Sequence, residues 1–304
     1  MDKINVVWLS YHKPEIIARG YWDNGLLESI FKTGEYRHHE DFEWKYQDKG
    51  AIVIINGRTH IEDKDYEDIN ADIAKLKWVL FIDTGDEEAV FQWRNIKHPR
   101  MRVWVMMPRI NQHDDVSYYI PNGYRPETRD MLREIGCQDK TQDWYFCGQK
   151  THERREQCVA ELEFFIDSGQ FPNGKLVSTD HFGATDVDYK TYMSELSKTK
   201  IAPCPSGPES PDSFRLYEAL EAGCLPIVDA FSTNNRSPGF WNYMFRGSVP
   251  FPIVDYWDTL NKDNLMSELL KGYPENANRC FAWWQLKKRE IRFKLEDDIK
   301  ELSK

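Results

Sequence analysis

The sequence predicts an α/β protein of two doubly wound domains facing each other across a cleft. Short apolar runs alternate with longer amphipathic stretches, the pattern of strands and crossover helices. A loop-like break rich in Pro, Asn and Gly separates a first series of such units from a second. Large aromatics (11 Trp, 15 Tyr, 16 Phe in 304 residues) recur along the whole length, which supplies a sizeable core and argues against disorder.

In the first half, residues 5–10, 51–55, 78–82 and 102–106 read as strands, rich in Val, Ile and aromatics. Residues 25–31 read as a helix after the polar loop Gly20-Tyr21-Trp22-Asp23-Asn24. Residues 66–77 read as another, with Ile69, Ile73 and Leu76 at helical spacing. Residues 108–126 are loop-like, and the boundary is placed near 122–140. The domains are then 1–125 and 126–274. The second half has strands at 144–147, 176–178, 201–204, 225–228 and 249–254. Its helices are at 152–166, 188–197, 213–222 and 262–270. In 152–166, Cys158, Leu162 and Phe165 share a face. A final helix over 275–302, within a segment 275–304, is long enough to cross back to the first domain.

The formal charge is −10, from 40 Lys and Arg against 50 Asp and Glu. Net acidity removes the global electrostatic basis for nucleic-acid binding and leaves only a local basic cleft. No apolar run approaches the ~20 residues that cross a bilayer. The start, Met1-Asp2-Lys3-Ile4-Asn5-Val6-Val7-Trp8, lacks the features of a signal peptide. Six scattered cysteines form no CxxC and no metal-ligand spacing, so they read as free thiols of a reduced, cytoplasmic protein.

The densest chemistry lies at 202–228. A buried strand ends at Cys204, and a loop of Pro, Ser and Gly follows. A helix then starts at Asp212 or Ser213, both good caps, and stops at Gly223. A loop feeding a helix start exposes N–H groups and the positive end of the dipole, an anion site. Arg215 lies in the first turn, and Glu218, three residues on, shares its face. On spacing alone a capped helix with a surface Arg–Glu pair reads the same way. A solvated helix face likewise accounts for Lys150, Arg154 and Arg155.

The run Asp212-Ser213-Phe214-Arg215-Leu216-Tyr217-Glu218-Ala219-Leu220-Glu221-Ala222-Gly223-Cys224-Leu225-Pro226-Ile227-Val228 resembles the C-terminal signature of exostosin-like glycosyltransferases. More broadly it is similar to the Glu-Ala-Leu…Gly…Pro-Ile helix of GT-B nucleotide-sugar transferases. Asp115-Val116 with Ile120-Pro121, and Trp144-Tyr145-Phe146-Cys147-Gly148 followed by Arg154-Arg155, extend the likeness over about 114–254. Ser210 stands where many GT-B enzymes carry an acidic residue, and the N-terminal anchor usual in secretory exostosins is missing. A bacterial or phage-like enzyme fits better. The resemblance implies a GT-B fold of two Rossmann-like domains, with the donor in the second. It implies that Glu218 binds the ribose and Arg215 the diphosphate. Ser206, Gly207, Asp212 and Ser213 would form the anion loop, flanked by Gly148, Lys150 and Arg154. The donor is expected to be a UDP-sugar, with no further cofactor.

Metal-independent transfer is expected, since Asp63/Asp65 and Asp186/Asp188 are common acidic pairs and Asp188 reads as a helix cap. An inverting reaction needs a base on the acceptor side, for which Asp86, Asp23 and His12 are the candidates. The acceptor is expected to be a glycan, a small molecule or modified DNA. The basic run Lys287-Lys288-Arg289 with Arg292 and Lys294 underlies one alternative, a phage-type transferase acting on hydroxymethylated bases. A non-catalytic nucleotide-binding α/β protein is the second alternative.

Overall fold

The computed structural model describes residues 4–9, 26, 34–38, 49–55, 62–84, 91–106, 115–179 and 187–304. The chain divides into two units. One comprises residues 1–122 with 288–304, the other residues 123–287. Each carries a parallel sheet with helices, an α/β architecture consistent with a two-domain Rossmann-like fold.

The first unit contains β1 (Ile4–Leu9), β2 (Gly34–His38), β3 (Ala51–Ile55), α1 (Asp63–Ile73), β4 (Val79–Asp83), β5 (Met101–Met106) and β6 (Tyr118–Ile120). The strands form one six-stranded sheet in the order β2-β1-β3-β4-β5-β6. β3 and β4 are buried at every residue. Their run of Ile, Val, Leu and Phe, closed in β4 by Asp83, is what a parallel strand covered on both faces requires. Tyr66, Ile69 and Ile73 of α1 join Val7, Leu9, Val53, Ile55 and Phe81 in one buried cluster. Asp65 Oδ2 accepts from the backbone N–H of Glu62 at 2.7 Å, so this carboxylate caps α1. The expected helix at 25–31 falls outside the described residues except for Leu26, which is buried. β2 and β6 are the sheet's edges, and neither was expected from the sequence. β2 is Gly-Glu-Tyr-Arg-His, with no apolar run. It is placed by backbone pairing along β1, from Ile4 with Gly34 to Trp8 with His38.

The second unit contains α2 (Thr128–Ile135), β7 (Gln142–Gln149), α3 (Glu153–Asp167), β8 (Lys175–Thr179), α4 (Tyr189–Ser197), β9 (Thr199–Cys204), α5 (Phe214–Glu221), β10 (Leu225–Asp229), α6 (Phe240–Phe245), β11 (Ile253–Val254), α7 (Thr259–Lys262) and α8 (Leu265–Lys271). α9 (Tyr273–Ser303) follows. The five-stranded sheet has the order β11-β10-β9-β7-β8. β11 is shorter than expected, and the helix expected at 262–270 is two. Between them Asn264 takes φ +57°, which interrupts the helical path.

α9 contributes to both units. In the second, the Trp284 ring lies 5.0 Å from Tyr217 and its Nε1 donates to Glu221 Oε1 at 2.8 Å. In the first, fully buried Asp298 accepts from Trp104 Nε1 at 2.8 Å and from Arg102 and Lys294. Three members of the basic run on this helix have partners within the chain. Lys287 Nζ donates to the Phe245 carbonyl at 3.3 Å, Arg292 Nε to Glu296 Oε1 at 3.1 Å, and Lys294 to Asp298. Among the described residues no helix is long and apolar enough to cross a membrane. All six cysteines are free; Cys158, Cys204, Cys224 and Cys280 are buried, Cys147 half-buried and Cys137 exposed.

Candidate functional site

In the second unit the chain passes from β7 outward to β8, then returns to the opposite side of β7 to lay down β9. The direction of strand addition therefore reverses between β7 and β9. At such a switch point the two flanking loops part and leave a crevice beyond the carboxyl ends of the strands. The loop after β9 leads into α5, which has Ser213 at its N-cap and Gly223 at φ +70° just past its end. Only glycine takes that left-handed turn without strain.

α5 is buried from Arg215 to Leu220. Arg215 is 7% exposed and Glu218 0%, so the pair is not a surface pair. Glu218 Oε1 accepts from the Tyr189 hydroxyl at 2.8 Å, and that hydroxyl lies 2.6 Å from Thr128 Oγ1. Glu218 Oε2 is buried without a partner among the described residues. Burial pushes the Glu218 carboxyl up to about 7, against the opposing pull of the Tyr189 and Tyr192 hydroxyls, Arg215 and Arg125.

Arg215 Nε donates to the Cys147 carbonyl at 3.2 Å, which ties the guanidinium to the end of β7. The rings of Phe214 and Phe146 lie 5.1 and 5.6 Å from its Cζ. Nη1 is buried without a partner among the described residues. Gly148 makes this placement possible, because a Cβ there would stand 2.4 Å from Nη2 and 3.0 Å from Cζ. The hydroxyls of Ser206 and Ser213 are also buried and unpartnered among the described residues. His152, at the start of α3, is held neutral: burial and the Arg155 charge bring its value down to about 4. The arrangement thus sets one cation with an open Nη1 and two open hydroxyls beside one half-open carboxylate. It can take a ligand that is anionic at one end and carries hydroxyl donors at the other.

Other residues singled out by sequence hold the loop. Fully buried Asp212 accepts from the Tyr217 hydroxyl at 2.5 Å, and its backbone N–H donates to Ser210 Oγ at 3.1 Å. The backbone N–H of Gly207 donates to the Ser210 carbonyl at 2.9 Å. Arg154, 1% exposed, is not on a solvated face. Its Nε (2.9 Å) and Nη2 reach Asp229 Oδ1, and its Nη1 reaches Gln157 Oε1 at 3.1 Å. Asp229 Oδ2 takes the backbone N–H of Ser206 at 2.7 Å, so this pair underpins the loop after β9. Arg155 is buried as well, with Nε 3.2 Å from the Ser206 carbonyl. Lys150 Nζ pairs with Glu163 Oε1 at 2.7 Å.

Asp86, Asp23 and His12 lie outside the described residues, as does Asp186. Asp188 caps α4, its Oδ1 accepting from the backbone N–H of Thr191 at 2.7 Å. Among the described residues no three His, Cys, Asp or Glu side chains come together in a group suited to a metal. Sequence reasoning missed Thr128, Tyr189, Tyr192 and Arg125, which surround Glu218 from the region of α2 and from α4. The Asp188 cap marks where α4 begins, but nothing in the sequence ties the Tyr189 hydroxyl to Glu218. The sequence matches no family model and no curated protein. What the fold defines is a class: a parallel α/β chain of two units, consistent with a two-domain Rossmann-like protein.

Proposed function

We propose that this chain is a GT-B glycosyltransferase that moves a sugar from a UDP-linked donor to a hydroxyl acceptor. The observation that carries the reading is the buried Arg215–Glu218 pair at the β7/β9 switch point, each member retaining an open polar atom. Glu218 Oε2 accepts from the ribose hydroxyls. Arg215 Nη1, the Ser206 and Ser213 hydroxyls and the start of α5 receive the diphosphate. Negative charge grows on that diphosphate as the glycosidic bond breaks, and preorganised donors stabilise it most at that moment. Binding needs no divalent ion in this reading. The first unit takes the acceptor, with Asp86, Asp23 or His12 as the base of an inverting reaction.

Titration calorimetry with UDP in excess EDTA tests the donor site. Replacing UDP by its 2′,3′-dideoxy analogue should cost the wild type about 10- to 150-fold in affinity, the worth of a charged hydrogen bond. It should cost Glu218→Ala little. Equal losses in both proteins would remove Glu218 as the ribose ligand. Slow release of free sugar from a UDP-hexose separates a transferase from a protein that only binds nucleotide.

A further inference from the structure

Glu218 sits on the motif helix, but the group that fixes it comes from elsewhere. A tyrosine hydroxyl has one proton. With Glu218 ionised, the proton of Tyr189 goes to Glu218 Oε1, and the Thr128 hydroxyl, 2.6 Å from the same oxygen, donates to it. The result is a directed chain from fully buried Thr128 through Tyr189 to the carboxylate. The Arg125 guanidinium lies 4.2 Å over the Tyr189 ring, where a cation both holds the ring and strengthens its hydroxyl as a donor. We propose that Tyr189 is the positioning residue of the site: by occupying Oε1 it fixes the carboxylate and leaves Oε2 as the oxygen that grips a ligand hydroxyl. The inference rests on the reading of Glu218 as the ribose ligand.

The groups that act on Glu218 are Arg215 on α5, Tyr189 and Tyr192 on α4, and Arg125 ahead of α2, with the Cys147 and Cys204 thiols from β7 and β9. Burial favours the neutral acid, and the two tyrosine hydroxyls and the two arginines oppose it. A protonated Glu218 meets the ribose as a weak acceptor instead of a charged one. Tyr189 therefore sets both where the carboxylate points and the pH above which it binds.

The test reads Glu218 directly, in ligand-free protein, as an infrared carboxyl titration of wild type minus Glu218→Gln. Tyr189→Phe keeps the ring and removes the donor. It should raise the Glu218 midpoint by about one pH unit or more, the worth of a charged hydrogen bond. Thr128→Val should raise it in the same direction by less, and it decides the matter if Tyr189→Phe does not fold. In parallel, Tyr189→Phe should weaken UDP about tenfold near neutral pH. That loss should shrink as pH rises and be absent for the dideoxy analogue. An unmoved midpoint in a folded variant overturns the proposal, as does a UDP loss that is the same at every pH. If the midpoint moves as expected but wild type does not distinguish UDP from the dideoxy analogue, the nucleotide reading fails and the Tyr189–Glu218 coupling stands.

Discussion

Two buried arginine–carboxylate pairs lie in the second unit, and they are built to opposite plans. Arg154 and Asp229 are closed: one carboxylate oxygen takes two guanidinium donors, the other takes the Ser206 N–H, and the remaining guanidinium nitrogen reaches Gln157. Arg215 and Glu218 are open, each with a buried atom that has no hydrogen-bond partner among the described residues. Burial raises both carboxyls. A buried polar atom without a partner costs stability, and in the proposed reading the donor fills both open atoms. A closed pair needs no visitor and serves the loop it holds.

The comparison is most easily broken at Arg154. Arg154→Ala leaves Asp229 buried without its counter-ion, which costs about 3–5 kcal/mol. A melting point lower by on the order of ten degrees should follow in calorimetry. A variant that melts normally and loses the donor would make Arg154 a ligand group and the contrast false.

The open pair should show the reverse sign. A carboxyl raised from the usual Glu value of 4.5 to about 7 keeps its proton in the folded state across a range where the unfolded chain has lost it. Stability without ligand then falls as pH rises through that window, by about 3 kcal/mol in total. Glu218→Gln should flatten this slope in urea unfolding run between acid and neutral pH. The variant should therefore be the more stable protein at the upper end. An unchanged slope would mean that Glu218 is not the strained member.

The smallest effect is expected at Gly148. A methyl group there would stand 2.4 Å from Arg215 Nη2 and must push the guanidinium aside. Gly148→Ala should weaken UDP about threefold to tenfold, the worth of displacing a side chain from its rotamer well, with little change in melting. A fall in melting at constant affinity would reduce Gly148 to a packing position.

These contrasts also show what a sequence can and cannot carry. β3 is legible to the residue, because a strand buried on both faces must be apolar throughout. β6 and α2 fall in the stretch taken for a loop and a boundary, since three residues of strand and a mostly polar helix leave little pattern. α5 is legible from its ends, where Ser213 and Gly223 punctuate it. Arg215, Glu218, Ser206 and Ser213 are readable together because one contiguous motif brings them together. Arg154 was grouped with Arg215 because a sequence displays a charge and hides its partner. Asp229 lies at the end of a different strand, and only the fold joins them. Tyr189 and Thr128 were invisible for the same reason.

The first unit is completed by residues 288–304, while the rest of it precedes residue 123. A ribosome must make the whole of 123–287 in between, on the order of ten seconds at roughly 5–20 residues per second. Through that interval β5 exists without Asp298, the partner of Trp104 and Arg102, and without Ile291, Leu295 and Leu302, all buried in the finished protein. The second unit is contiguous and waits for nothing made later. Completion therefore runs against chain order: the unit begun second has all its residues first, and the unit begun first receives its last residues at the end.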